Sequence, residues 1–220
     1  APALDTLSAA IESAMGGART MRVRLGMLPL FASQRLFPRL GEFHKLHPDV
    51  HLDVDTSPNA IARLGEGLDA AIVLARDVDP SLYARELDRD LVYLIGSKTL
   101  LEGSHPVTRP EDIARQTLLV HRDMSATFDV WKDAVGLPNL TPASIDYYDS
   151  GALMLEAAAQ GLGIAAMHGR HFQEAHDPRI VRLFDFHVES PYRYFFVCRP
   201  KAMEKRAVRT FHDWVINAEI

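Results

Sequence analysis

The sequence predicts an α/β fold of the doubly wound kind, and three stretches carry that prediction. Val23, Leu25 and Met27 alternate with Arg22, Arg24 and Gly26, the period-2 pattern of a strand with one buried face. Leu36, Leu40, Phe43 and Leu46 then follow at helical spacing. Ala70–Ala75 (AAIVLA) is apolar throughout, as a parallel strand covered on both faces must be. With a strand at Val50–Asp55 and a helix between, the order is β–α–β–α–β.

Residues 3–15 predict a short amphipathic helix with Leu4, Leu7, Ile11 and Met15 on one face, stopped by Gly16 and Gly17. Pro29 breaks the first strand, so Leu30–Ser33 is expected as a loop. Val50, Leu52 and Val54 alternate with His51, Asp53 and Asp55. Ser57 is placed to cap a helix with Pro58 at its first position and with Ile61, Leu64 and Leu68 on its face. Beyond Leu87 strands are expected at Leu91–Gly96, Thr117–Val120, Ser144–Tyr148, Gly163–Met167, Arg179–Phe184 and Tyr194–Cys198. Helices are expected after Pro110, after Ser125 with Phe128, Trp131 and Val135, and over Ala152–Gln160, closed by Gly161. The last helix carries Val208, Phe211 and Val215.

Composition narrows the function. The 220 residues are 47% hydrophobic and 24% charged, ordinary for a globular protein. No apolar run reaches the ~18–20 residues of a membrane span. A net charge of −5 gives no footprint for nucleic acid. The one cysteine, Cys198, excludes an internal disulfide and fits a reducing, cytoplasmic setting.

Four runs in this order resemble the effector-binding domain of LysR-type transcriptional regulators: RVRLGMLPLFASQRLFPRLGEFHKLHPDVHLDV, EGLDAAIVLAR, DSGALMLEAAAQGLGIAAM, and YFFVCRP with the terminal FHDWVI. Within that family the chain is most similar to the glycine-cleavage-activator and AmpR-like branch. The resemblance implies a type II periplasmic-binding-protein-like fold, with two α/β lobes joined by two crossover strands and a ligand cleft between them. The crossings are expected near Tyr93–Gly96 and Arg193–Phe196. Lobe I is then 21–94 with 195–220, and lobe II 95–194. Residues 1–20 end a linker helix and linker, and the N-terminal winged helix-turn-helix is absent from this chain. The resemblance also implies a small-molecule effector and a homodimer, tetrameric in the full-length protein. DNA contact would run only through the missing domain. A periplasmic solute-binding protein of a transport system is the alternative on the same fold.

Ligands of open α/β sheets sit beyond the carboxyl ends of the strands. The residues expected there are Leu30, Phe31, Ala32, Ser33, Thr56, Ser57, Arg76, His121, Asp149 and Ser150. Ser33, Ser57 and Ser150 read as hydroxyls at helix N-termini, and Ser at an N-cap is equally a plain stabilising residue. Arg76 is placed either to clamp a carboxylate or to pair with Asp77 or Asp79. Phe31 is pocket wall or core, and His121 a ligand or a structural histidine. The expected ligand is small and polar or anionic. The dimer face is assigned to Leu36, Phe37, Leu40, Phe43, His44, His47 and Leu52, because Phe37 and Phe43 cannot share one core stripe.

Other chemistry has weak support. His44/His47 and His168/His171 have i,i+3 spacing, but no third ligand follows at fixed distance, so no metal or other cofactor is expected. There is no G-x-S-x-G elbow and no P-loop, and Gly161-Leu162-Gly163 follows a helix where a dinucleotide fingerprint precedes one. The chain does not read as an enzyme.

Overall fold

The computed structural model describes residues 21–102 and 105–218. The helix expected over residues 3–15 lies outside the described residues.

Strand β1 (Met21–Met27) is followed by a single non-helical residue, Leu28. The loop expected at Leu30–Ser33 is helix instead. Pro29 opens it, the amide of Ala32 donates to the Leu28 carbonyl (3.1 Å), and a π-helical segment (Phe31–Leu36) continues into α1 (Phe37–Leu46). A proline in the first helical turn loses no hydrogen bond and presets φ. Pro29 therefore starts a helix as well as ending the strand.

After β2 (Val50–Asp55) the expected helix shrinks to one 3-10 turn at Ile61–Arg63. Asn59 and Gly65 have positive φ (62° and 89°), which a helix does not tolerate. Ser57 caps nothing; its amide donates to Asp55 Oδ1 (2.8 Å). Leu64 and Leu68 are nonetheless buried under β3 (Ala70–Ala75).

Strand β4 (Tyr83–Ser97) has 15 residues, so the expected Leu91–Gly96 is only its second half. Then come β5 (Thr117–His121), α2 (Ala126–Ala134), β6 (Ser144–Tyr148), α3 (Gly151–Ala159), β7 (Ile164–His168), α4 (Gly169–Ala175) and β8 (Ile180–Arg182). β9 (Val188–Cys198) and α5 (Arg206–Asn217) close the chain.

All described strands belong to one sheet in the order β2-β1-β3-β9-β4-β7-β5-β6, with β8 also on β4. It contains one plan twice. Lobe I runs β2-β1-β3-β9-β4, and lobe II runs β6-β5-β7-β4-β8. β4 and β9 pair antiparallel from Tyr83↔Cys198 to Val92↔Val188, and irregularities interrupt the register between Glu86 and Asp88 and between Arg89 and Leu91. From Val92 onward β4 pairs with β7. On β9, Arg193–Cys198 pair with β3. Only the buried half of each long strand carries a readable apolar run.

Buried side chains form two clusters on each lobe, one per sheet face. In lobe I, Val23, Leu25, Phe31, Leu36 and Phe43 pack with Phe196, Phe211 and Trp214. The opposite face holds Leu64, Leu68, Ala71 and Phe195. A Cβ on Gly26 would lie 2.6 Å from Leu68 Cδ1 and 2.8 Å from Ala60 Cβ, so glycine lets this layer approach. In lobe II, Ile95, Leu119, Met154 and Ala158 cover one face, and Phe128, Trp131 and Ile164 the other.

Candidate functional site

The sheet plan sends the carboxyl ends of the parallel strands of both lobes into one cleft. Lobe I contributes Leu28, Pro29 and Leu30 from the end of β1 and Leu74 from β3. Lobe II contributes Leu119–His121 from β5, Met124–Phe128 in part, Asp149–Gly151 and Met154 after β6, and Ala166–His168 from β7. His171 and Tyr194 complete the floor. The space between the lobes, its open mouth included, is about 680 Å³. The lobes touch at the rim: a Cβ on Gly151 would stand 2.8 Å from Leu30 Cδ1.

Behind the floor lies a chain of hydrogen bonds from lobe to lobe. Gln34 Nε2 donates to the His171 carbonyl (3.2 Å), leaving Oε1 to face His171 Nδ1 at 2.6 Å. Oε1 only accepts, so Nδ1 carries the proton. Nε2 then accepts from the Tyr194 hydroxyl at 2.6 Å. Burial, then His168 and Arg35, pull His171 down to about 3, so the ring is neutral. Burial likewise lowers His168, whose Nε2 meets Ser190 Oγ at 2.7 Å, and raises Tyr194. Arg35 sits behind Tyr194, 3.0 Å from Asp88 and over the rings of Phe31 and Tyr194. At the mouth, burial also lowers His121, whose Nδ1 accepts from the Asp123 amide (3.3 Å).

Of the residues expected at the site, Leu30, His121, Asp149 and Ser150 line this cleft. Phe31 and Ala32 are buried one layer behind it, with Phe31 against Tyr194 (centroids 4.9 Å). Ser33 is exposed on the helix, donating to the Leu30 carbonyl (3.4 Å), because the helix starts four residues earlier than a loop at Leu30–Ser33 allows. Thr56 and Ser57 line a separate polar hollow with Arg24, Asp53 and Asp55. Arg76 stays outside the cleft, with its guanidinium over the Tyr192 ring (5.3 Å). Met154, His168, His171 and Tyr194 line the cleft without being expected there. The first follows Ser150 by one helical turn, a spacing that could have found it. The other three belong to elements that read only as buried strand or loop.

The outer face of α1 is apolar in part: Phe37 is 50% and Leu46 60% exposed, with Leu40, His47 and Leu52 half-buried and His44 exposed. Leu36 and Phe43 are fully buried in lobe I, a correction to their place on an outer face, since they fall on the inward stripe of the same helix. Lobe II exposes Ile145, Tyr147, Leu153 and Leu162.

Among the described residues no group of three metal-ligating side chains is present, and no helix is long and apolar enough to cross a membrane. Cys198 is buried in β9, and burial pushes its thiol up to about 11, far from a reactive thiolate.

Comparison with known proteins agrees with this geometry. The effector-binding domain of AmpR from Citrobacter freundii superposes with a TM-score of 0.80 at 27% identity, over 90% of this chain and 98% of that one. The glycine cleavage system transcriptional activator of Escherichia coli (strain K12) is 26% identical over 193 residues, which are 87% of this chain and 63% of that protein's length. The AmpR activator of Citrobacter freundii is 29% identical over 198 residues, 88% of this chain and 66% of that protein. The chain thus spans about two thirds or less of these relatives. The fold is the type II periplasmic-binding-protein-like one that such effector domains share. The family model described as the LysR substrate binding domain matches residues 16–219, and the chain belongs to that family.

Proposed function

We propose that this chain is the effector-sensing domain of a LysR-type DNA-binding transcriptional regulator that works in the cytoplasm, and not an enzyme. The observation that carries the reading is the cleft lined from both lobes and floored by the crossing strands, where a ligand's contacts differ between an open and a closed arrangement. Only such a difference lets a ligand shift a conformational equilibrium. The relatives are named as activators, AmpR as one of the helix-turn-helix type. DNA contact therefore falls to a winged helix-turn-helix domain outside these 220 residues. The similarity to regulators along the whole chain favours this over a periplasmic solute-binding protein.

The signal leaves through packing of one copy on another. Phe37 and Leu40, one helical turn apart on α1, and the lobe II face carrying Tyr147 and Leu153 supply two apolar patches for an antiparallel homodimer, tetrameric in the whole protein. Each copy pairs its lobe I, residues 21–94 with 195–220, against its partner's lobe II, residues 95–194.

A thermal-shift screen of a metabolite panel tests the site. Compounds that raise the melting temperature should lose their effect in Ser150→Trp, which fills the cleft at the rim. Hits that act equally on that variant would remove the cleft from consideration.

A further inference from the structure

The proposed effector cleft also has a chemistry that selects its ligand, an inference that rests on the effector-sensing reading. We propose that the effector is an amphipathic molecule without net negative charge: an apolar body held between the lobes, and one hydrogen-bond-donating group, a hydroxyl or an amine, set against Asp149 and Ser150.

Charge decides the head group. Among the described residues lining the cleft there is no lysine and no arginine, and the one carboxylate is Asp149. Of the cations nearby, Arg35 is committed to Asp88 behind the floor, Arg170 to the same carboxylate (3.7 Å) and Arg76 to the face of Tyr192, while Arg122, beside His121, is exposed and is not among the lining residues. The histidines supply no charge. His121, His168 and His171 are all lowered by burial. His171 is held neutral by burial, and a neutral His121 whose Nδ1 accepts from Asp123 carries its proton on Nε2, toward the Asp149 main chain. An anionic head at this end would meet no basic side chain, only the first-turn amides of α2 and α3, and would face the like charge of Asp149. Of the expected small polar or anionic ligand, the polar one is kept, and Arg76 stays outside the cleft.

The walls say what the body is. Leu28, Leu30 and Leu74 form one side, and Val120, Phe128, Met154 and Met167 the other. Methionines adapt to irregular apolar shapes and to ring edges, so a hydrocarbon or aromatic body fits. The polar atoms gather at one end instead of being spread along the walls: Ser125, Asp149 and Ser150 follow the ends of β5 and β6. Thr127 Oγ1 is occupied by the Met124 carbonyl (2.8 Å), and the His168 and Tyr194 polar atoms by Ser190 and His171. One polar end with a single carboxylate, and an apolar remainder, specify an amphiphile whose head donates to Asp149.

Three probes of one shape and different head groups decide it: phenethyl alcohol, phenethylamine and phenylacetate. They are titrated at millimolar concentration into protein with labelled Leu and Met methyl groups, with the Leu30, Met154 and Met167 signals assigned. The alcohol and the amine should move those three signals, and phenylacetate should bind at least about tenfold more weakly. Asp149→Asn, at an exposed position, should weaken the amine and bring phenylacetate up towards the alcohol. Phenylacetate moving the cleft signals as strongly as the alcohol, with Asp149→Asn neutral, would overturn the ligand class and leave the cleft standing. Silence of the cleft signals with all three probes would also overturn the class. Perturbations confined to methyls outside the cleft would remove the cleft itself.

Discussion

Gln34 and His171 hold each other twice across the lobe boundary: the amide nitrogen to the His171 carbonyl, and the amide oxygen to the imidazole Nδ1. The two residues are 137 positions apart in sequence. One belongs to the π-helical segment of lobe I and the other to α4 of lobe II, and the imidazole's second nitrogen faces Tyr194 in the cleft floor. A ligand resting on the floor thus acts on a residue that already spans both lobes.

Gln34→Leu removes both bonds at once and leaves the buried Nδ1–H unpaired. An unpaired buried donor costs about 1–3 kcal/mol, and urea unfolding should show a loss of that size. Spin labels at exposed Glu42 and Asp129, one per lobe, should report a broader distance distribution in the variant than in the wild type. Identical distributions would show that the bonds stabilise without orienting.

The same imidazole gives an acid dependence with a definite sign. His171 is held at about 3 against an ordinary 6.5, so between those values the unfolded chain binds a proton that the native state refuses. Its stabilising contribution is complete above the unfolded value and is lost as pH falls, by about 1.4 kcal/mol per pH unit per proton. Unfolding free energies at pH 7 and pH 5 should differ accordingly. His171→Leu should flatten that slope, whatever it does to stability at pH 7.

Asp69 is a buried charge with a structural task. It is nearly buried, accepts from Lys205 Nζ (2.8 Å) and from the Arg24 amide (2.9 Å), and so ties the start of α5 to β1. Burial pushes its carboxyl up, but the bonds from Lys205 and Arg24 outweigh it and hold the group below the usual value. A depressed carboxylate stabilises above its unfolded value near 3.8 and loses that contribution as pH falls through the folded one. Asp69→Asn should destabilise by about 1–3 kcal/mol at neutral pH, measured by denaturant midpoint, with the β1 amides exchanging faster.

Phe37 tests the assembly. It is half-exposed on α1 and stands outside the lobe I core cluster, so Phe37→Glu should change folding stability by no more than about 0.5 kcal/mol. Sedimentation velocity should show a dimer for the wild type and a monomer for the variant. A wild-type chain that stays monomeric at high concentration would end the dimer reading.

How legible each element is depends on how it earns its burial. AAIVLA reads as a strand because it is covered on both faces, and α5 reads as a helix because Val208, Phe211 and Val215 fall on one stripe. The first half of β4 does not read at all: Arg85, Glu86 and Arg89 are exposed, and its order comes from pairing with a strand about 100 residues later. The cleft is half legible for the same reason. Leu30, His121, Asp149 and Ser150 follow from the strand-end rule. Tyr194 and His171 are brought in by the crossing strands, and nothing local marks them. Helix starts displace Ser33, Ser57 and Thr56 from the cleft: Pro29 begins its helix ahead of Ser33, and Asn59 and Gly65 prevent a helix after Ser57.

The repeated strand order has a consequence for how the protein is made. β9 lies between β3 and β4 in lobe I, and β4 lies between β7 and β8 in lobe II, so each half contains a strand shared with the other. While the ribosome is still making residues before 188, lobe I has a gap in the middle of its sheet, with the edges of β3 and β4 unpaired. Such edges recruit foreign strands, and pairings of this sequence separation form slowly. The chain therefore cannot complete its first lobe and then its second. It must hold the first open until nearly all of it has emerged, and a stop codon before β9 should yield an aggregation-prone fragment instead of a stable half.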